Sequence, residues 1–196
     1  QRVLHPVYQT ILQSAYAWGI CEAVDQGVES IPSAVANTPS RLRFKASIII
    51  PVFNKLELTR QCLTTLAAAT TMPEYEVIVV DNASTDGTAE FLGALGGDVQ
   101  VIRNQENHGF AIACNQGAKA ARGEYLLFLN NDTIPTEGWL NALVDEVERH
   151  PEVAVVGSKL LYEDGTIQHA GVAFSRIWFS PYHIYKRFPA DAPVVN

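Results

Sequence analysis

Carboxylate and amide side chains stand directly after two short apolar segments of this sequence. Asp81 ends the segment Glu76-Val-Ile-Val-Val-Asp81, and Asn130-Asn-Asp-Thr133 follows Tyr125-Leu-Leu-Phe-Leu129. A carboxylate at a strand end can accept a hydrogen bond from a base N–H, such as the imide of uracil or thymine. A carboxylate flanked by amides suits Mg²⁺ or Mn²⁺, which prefer oxygen ligands and often take only one or two from protein. Asp132 would then be the protein ligand, and a diphosphate would supply others.

Both motifs also have structural interpretations. Asp81 is a candidate helix cap, although Ser84, Thr85 and Asp86 are better placed for that role. The run of two asparagines, aspartate and threonine at 130–133 is favourable turn chemistry. We favour the ligand role for Asp81 because the two motifs occur together, whereas the second motif on its own is weak.

A third polar segment, Asn107-His-Gly-Phe-Ala-Ile-Ala-Cys-Asn115-Gln-Gly117, opens a predicted helix. Gly109 permits close backbone approach or a positive φ, and Asn115 falls roughly two turns into the helix. His108 fits an exposed loop histidine better than a ligand. The sequence has no P-loop, no Gly-x-Gly-x-x-Gly and no Gly-x-Ser-x-Gly, which argues against ATPases, dinucleotide-binding enzymes and α/β-hydrolases.

The elements that must position these residues alternate between strand and helix from Ala46 onward. The predicted strands cover 47–51, 76–81, 99–102, 125–129 and 153–156, and the predicted helices cover 56–70, 85–95, 110–121 and 136–149. Strands that are apolar on both faces indicate a mainly parallel sheet with helices on both faces. Such sheets bind ligands at the carboxyl ends of their strands, where the polar loops fall.

The flanking segments divide the chain into three predicted regions. Residues 1–45 hold a predicted N-terminal helix at 5–26 and a linker rich in proline and serine, and residues 46–174 form the α/β core. A β-hairpin is predicted from 159–162 and 166–174, with its turn at Glu163-Asp-Gly165. Residues 175–196 form a tail that the pattern leaves unassigned.

Composition excludes several classes of protein. The 196 residues are 47% hydrophobic, and 14 Lys and Arg against 21 Asp and Glu give a net charge of −7 without a basic block, which argues against nucleic-acid binding. Cys21, Cys62 and Cys114 lack metal-type spacing and are expected to be buried free thiols. No transmembrane segment or signal peptide is visible, so we expect a cytoplasmic protein, with peripheral association at the inner face of the cell membrane left open.

The ordered motifs "SIIIPVFN", "VIVVDNASTDGT", "NHGFAIACNQG" and "YLLFLNNDT" resemble glycosyltransferases of family 2, especially the rhamnosyltransferase-like bacterial members. The segment "VVGSKLLYEDGTIQHAGVAF" resembles the stretch that follows in that group. The resemblance covers about Lys45 to Phe174. It implies a Rossmann-like GT-A fold and a role in polysaccharide biosynthesis.

The resemblance also implies site residues. Asp81 matches the acid that binds the base, Asp132 matches the metal-binding acid of the DXD motif, and Asn130 replaces the first acid of that motif. This loss of one carboxylate weakens the expectation of an Mg²⁺ or Mn²⁺ cofactor without removing it. His169 is a candidate acceptor-side or metal-proximal residue, with a structural histidine as the equal alternative. The nucleotide-contacting positions are Pro51, Val52, Phe53, Asn54, Asp81, Asn82, Asn107, Gly109, Asn115, Asn130 and Asn131.

The function implied is an inverting transfer of sugar from a UDP- or dTDP-linked donor to a glycan, lipid-linked, protein or other hydroxyl acceptor. The family's general base is usually an acid pair, and no such pair follows Phe174, where only Asp191 remains. We therefore expect a fragment that retains mainly donor binding and transfers sugar poorly, its base lying beyond Asn196. The alternatives are a non-catalytic nucleotide-binding module and a nucleotidyltransferase of related fold. The latter requires a glycine-rich basic loop that Pro51-Val-Phe-Asn54 does not supply.

Overall fold

A computed structural model of the chain describes residues 44–174 and 181–195. The predicted N-terminal helix and Cys21 lie outside these residues. The described residues fall into two compact units, with the boundary between Leu140 and Asn141. The three predicted regions stay a prediction.

The first unit is built on a four-stranded sheet. Its strands are β1 (Phe44–Val52), β2 (Tyr75–Asp81), β3 (Val99–Arg103) and β4 (Gly123–Phe128), and their order is β3-β2-β1-β4. All neighbouring strands are parallel, which confirms the predicted sheet. The isoleucines and valines in the middle of β1 and β2 are buried, as expected for β-branched residues covered on both faces.

Three helices of this unit follow β1, β2 and β3. They are α1 (Leu56–Ala69), α2 (Thr88–Gly93) and α3 (Phe110–Ala120). Helix α2 is shorter than the predicted 85–95, because Gly87 takes a left-handed conformation at φ 90° and Asp86 Oδ1 accepts the Thr88 N–H at 3.2 Å. A fourth helix, α4 (Trp139–Arg149), begins three residues later than predicted and crosses the boundary between the units.

Helix α3 packs against β1 and β2 through a glycine. A Cβ at Gly117 would lie 2.4 Å from Cγ2 of Ile49, which is fully buried and β-branched and cannot turn aside. We expect Gly117→Ala to lower the free energy of unfolding by about 1–3 kcal/mol through overpacking. Chemical denaturation measures this change. Gly93→Ala in α2 is the matched control, since its Cβ would meet no atom within 4 Å. Equal stability of the two variants would contradict the packing argument.

A buried carboxylate near the amino ends of the strands ties β1, β2 and β4 together. Glu76 Oε1 accepts hydrogen bonds from Ser47 Oγ at 2.7 Å and from the Arg122 N–H at 2.6 Å. Its Oε2 accepts from Arg122 Nη2 at 2.7 Å. Burial alone would raise the pKa of Glu76, but these hydrogen bonds and the Arg122 charge outweigh it, and the pKa lies below its ordinary value of 4.5.

We expect Glu76→Gln to lower the free energy of unfolding by about 1–2 kcal/mol at pH 7, because Arg122 loses its charged partner but is 48% exposed and stays hydrated. A carboxylate with a lowered pKa stabilises the fold above the pKa of the unfolded state, and this contribution is lost as the pH falls through the folded value. The difference between wild type and variant should therefore shrink below about pH 4.5. Denaturation series at several pH values test this. Glu124→Gln, which removes the exposed ion pair to Lys45, should cost less than about 1 kcal/mol.

The second unit contains most of α4 and four short strands. Strands β5 (Leu160–Leu161) and β6 (Ile167–His169) form the predicted hairpin, with Gly165 at φ 78° in its turn. Strand β7 (Val172–Phe174) instead pairs with β8 (Pro181–His183). The strand predicted at 153–156 is wrong: this segment forms no strand, and Val155 is half-exposed. Among the described residues, no helix is long and apolar enough to cross a membrane.

Candidate functional site

The carboxylate of Asp81 is buried at the carboxyl end of β2 with one oxygen unsatisfied. Its Oδ1 accepts the Ser84 N–H at 2.9 Å. Its Oδ2 has no hydrogen-bond partner in the part of the chain that the structure describes, although the residue is 0% exposed. The nearest cation is Arg103, whose Nε lies 3.7 Å from Oδ2. A buried carboxylate oxygen left without a donor is costly, so a donor from a ligand would satisfy it.

An open pocket of about 390 Å³, a volume within the range of small-molecule sites, is lined in part by Ser84 and Arg103, which both contact this carboxylate. The predicted acid and the loops after β2 and β3 are therefore brought together, as the parallel sheet requires. The sequence interpretation did not select Arg103 as a site residue, although its position at the end of β3 was a signal for it. The residues that line the pocket are Ala83, Ser84, Thr85, Arg103, Asn104 and Gln105.

The loops after β1 and β2 are joined by reciprocal hydrogen bonds. The Asn54 N–H donates to Ser84 Oγ at 2.7 Å, and the Thr85 N–H donates to Asn54 Oδ1 at 2.8 Å. Asn54 and Lys55 have φ values of 57° and 64°, a left-handed pair that costs conformational energy and is held by these bonds. Pro51 and Val52 are buried within β1. Phe53 is 48% exposed and offers an aromatic face at the sheet edge.

A network of side-chain amides fixes the loop before α3. Asn104 Nδ2 donates to Asn82 Oδ1 and to Gln116 Oε1, both at 2.8 Å, and Gln116 Nε2 donates back to Asn104 Oδ1 at 2.9 Å. Asn82 Nδ2 donates to the Gly109 carbonyl at 3.1 Å. These bonds join the ends of β2 and β3 to the start of α3. Sequence reasoning missed the roles of Asn104 and Gln116.

The segment Asn107–Gly109 reaches this network through the Gly109 carbonyl. The Gly109 N–H donates to Asn107 Oδ1 at 2.8 Å, and Gly109 has a φ of 82°, which favours glycine. Asn115 lies on the exposed side of α3, one residue from Gln116. Its contact with nucleotide stays a prediction.

The loop after β4 presents Asp132 at the surface. Thr133 Oγ1 donates to the Asn130 carbonyl at 2.7 Å, which closes a turn, and Asn131 Nδ2 donates to Thr59 Oγ1 at 2.9 Å. Asp132 is exposed. Within residues 44–174 and 181–195, no group of three His, Cys, Asp or Glu side chains could hold a metal. A cation at Asp132 would therefore draw most of its ligands from phosphate and water oxygens, which fits Mg²⁺ or Mn²⁺.

His169 belongs to the second unit and pairs with another histidine. Its Nδ1 faces Nδ1 of His183 in a short contact, and its Nε2 accepts the Gly171 N–H at 3.3 Å. Burial lowers the pKa of His183, and the charge of Lys186 lowers it further. The ring of His169 is fully buried, which fits a structural histidine. Its acceptor-side or metal-proximal role stays a prediction.

The fold and these loops define an α/β domain of GT-A type, with polar loops gathered at the carboxyl edge of its parallel sheet. The chain belongs to Glycosyl transferase family 2, whose family model matches residues 47–191.

Similar proteins include bacterial and archaeal glycosyltransferases. The O-antigen biosynthesis protein RfbC of Myxococcus xanthus is 39% identical over 159 residues, which cover 80% of this chain and 12% of that protein. Glycosyltransferase AglE of Haloferax volcanii is 34% identical over 52% of this chain and 34% of its own length. The structure of S. aureus TarS 1-349 in complex with UDP-GlcNAc matches with a TM-score of 0.50 and 28% identity, over 55% of this chain and 32% of that one. The chain thus spans about a third or less of these relatives.

Proposed function

We propose that this domain binds the nucleotide of a UDP- or dTDP-linked sugar, in a protein that transfers the sugar to a hydroxyl acceptor with inversion. The observation that carries the proposal is the buried, unsatisfied Oδ2 of Asp81, a residue whose contacts Ser84 and Arg103 line an open pocket. The crystal structure of the relative TarS holds UDP-GlcNAc, which supports a uridine nucleotide here.

The chemistry around Asp81 favours an imide-bearing base. Uracil and thymine carry a ring N–H between two carbonyls, so Oδ2 would accept the N–H while Arg103 donates to a neighbouring carbonyl. Cytosine has an acceptor nitrogen where uracil has this N–H. That nitrogen and the carboxylate oxygen are both acceptors, so they would repel each other and form no hydrogen bond. Guanine offers two adjacent donors, but only one oxygen of Asp81 lacks a partner. Phe53 would add stacking area for the base.

The phosphate end of the nucleotide is assigned to the loop after β4. Asp132 would hold a divalent cation together with diphosphate oxygens, and such a cation neutralises the charge of a leaving diphosphate. Asn130 and Asn131 would remain amide neighbours, because Asn131 is already bound to Thr59. The loop before α3, which includes Asn107 and Gly109, would line the ribose side. The acceptor is proposed to be a glycan, a lipid-linked group or a protein hydroxyl.

Calorimetric titration of UDP, dTDP, CDP and GDP, with and without Mn²⁺, tests the proposal. We expect UDP and dTDP to bind at least tenfold more tightly than CDP and GDP, and Mn²⁺ to increase the affinity for UDP. Binding of none of the four diphosphates would overturn the proposed function. Equal affinity for UDP and CDP would overturn the role of Asp81 as the reader of the base.

A further inference from the structure

Helix α1 contacts both loops of the proposed nucleotide site. At its amino end the Leu56 N–H donates to Asp86 Oδ2 at 3.1 Å, in the loop after β2. One turn later it reaches the loop after β4 through Thr59 and Cys62. These two residues are three apart, so they lie on one face of the helix. Both are fully buried, although a hydroxyl and a thiol are unusual choices where an aliphatic side chain would pack as well.

The two side chains contact the turn that carries Asp132: Cys62 faces its first and last residues, and Thr59 binds the residue just before Asp132. Thr59 Oγ1 accepts the amide of Asn131 at 2.9 Å. The Cys62 thiol lies 3.6 Å from the Asn130 carbonyl and 3.8 Å from Thr133 Oγ1. Burial raises the pKa of the Cys62 thiol, so it keeps its proton and can donate to that carbonyl. The Asn130 carbonyl also accepts Thr133 Oγ1, so the turn is fixed on both sides of Asp132.

We infer that Thr59 and Cys62 are positioning residues that hold the Asn130–Thr133 turn so that Asp132 can bind a metal–diphosphate complex. The inference rests on the proposed function of Asp132. Neither residue touches nucleotide or metal in this arrangement; they act through the backbone and amide of the residues beside Asp132. Outer partners of this kind typically change metal affinity when they are removed.

The test measures the ratio of the UDP dissociation constants without and with Mn²⁺. We expect Thr59→Val to lower this ratio about tenfold and to leave the affinity for UDP without metal within about twofold. Thr59→Ser keeps the hydroxyl and should restore the ratio. Thr65→Val removes a hydroxyl that donates to the Gln61 and Cys62 carbonyls within α1, and it should leave the ratio unchanged. A purely structural role would lower the stability of Thr59→Val and preserve its ratio, which would overturn the inference.

Asp132→Ala separates failure of the inference from failure of the proposed function. If Mn²⁺ does not strengthen UDP binding to wild type, or still does so in Asp132→Ala, the metal assignment fails and the inference fails with it. If wild type and Asp132→Ala behave as proposed while Thr59→Val keeps the wild-type ratio, only the inference fails.

A measurement on unmodified protein guards against a variant that does not fold. Alkylation of Cys62 requires the helix and turn to separate, whereas Cys114 is a buried thiol elsewhere in the same unit. Mass spectrometry should show that Mn²⁺ with UDP slows labelling of Cys62 at least tenfold more than labelling of Cys114. Equal slowing of the two thiols would overturn the inference.

Discussion

Replacing Asp81 by asparagine should reverse the base preference of the site and leave the fold intact. The Oδ1 position keeps its bond from the Ser84 N–H, so the new NH₂ group takes the place of the unsatisfied Oδ2. This NH₂ group is a donor, so it cannot form a hydrogen bond with the ring N–H of uracil. It would instead donate to the acceptor nitrogen of cytosine. We expect the affinity for UDP to fall about 10- to 100-fold, the range for losing one hydrogen bond to a charged group.

The affinity of the Asp81→Asn variant for CDP serves as the internal control. The ratio of UDP to CDP affinity should fall at least tenfold, because the substitution removes the hydrogen bond to uracil and supplies one to cytosine. Calorimetry with both diphosphates measures this ratio. The melting temperature of the ligand-free variant should not fall, since wild type buries an unsatisfied carboxylate oxygen there. A variant that is much less stable, or that keeps the wild-type preference for UDP, would show that Asp81 serves the fold rather than the base.

Replacing Asp132 by alanine should abolish the increase in UDP affinity that Mn²⁺ gives, and should leave metal-free binding unchanged. Asp132 is exposed, so little packing is lost. Within the described residues no cluster of three metal-ligating side chains offers a substitute. Asp145→Ala removes an exposed charge from α4 and controls for the change in net charge.

The reverse change, Asn130→Asp, restores a second carboxylate to the turn. We expect it to tighten Mn²⁺ binding, because affinity for hard cations rises with the number of anionic ligands. Equilibrium dialysis with Mn²⁺ measures both variants. Wild-type metal dependence in Asp132→Ala would remove this residue from the proposed site, whatever the outcome for Asn130→Asp.

The parallel sheet was predictable because its signal is local. Strands β1, β2 and β4 each contain a continuous apolar run and are followed by polar residues, so the loops that carry Asp81 and Asp132 could be placed at one edge from the sequence alone. The strand predicted at 153–156 was wrong for the same reason: its apolar composition resembles that of a strand, but the segment pairs with no strand in the described part of the chain. Strand β8 was missed because three residues that begin with proline give no periodic pattern.

The supporting contacts of the site were not predictable. The bond between Asn104 and Gln116 joins residues 12 apart, and that between Thr59 and Asn131 joins residues 72 apart. Amides and hydroxyls occur on many surfaces, and only the packed fold shows which of them face one another. The unsatisfied oxygen of Asp81 is likewise a property of its surroundings, since the same residue type caps turns elsewhere in the chain, as Asp86 and Asp164 do.

The strand order β3-β2-β1-β4 places the two chemical tasks on opposite sides of β1. The residues proposed to read the base follow β2 and β3, and the residue proposed to hold metal follows β4. Substitutions on one side can therefore alter the choice of nucleotide while the phosphate chemistry on the other is preserved. Helix α1 is the exception, because it contacts both sides. In a family that diversifies its donors on this scaffold, the outer loops should vary more in sequence than the first two turns of α1.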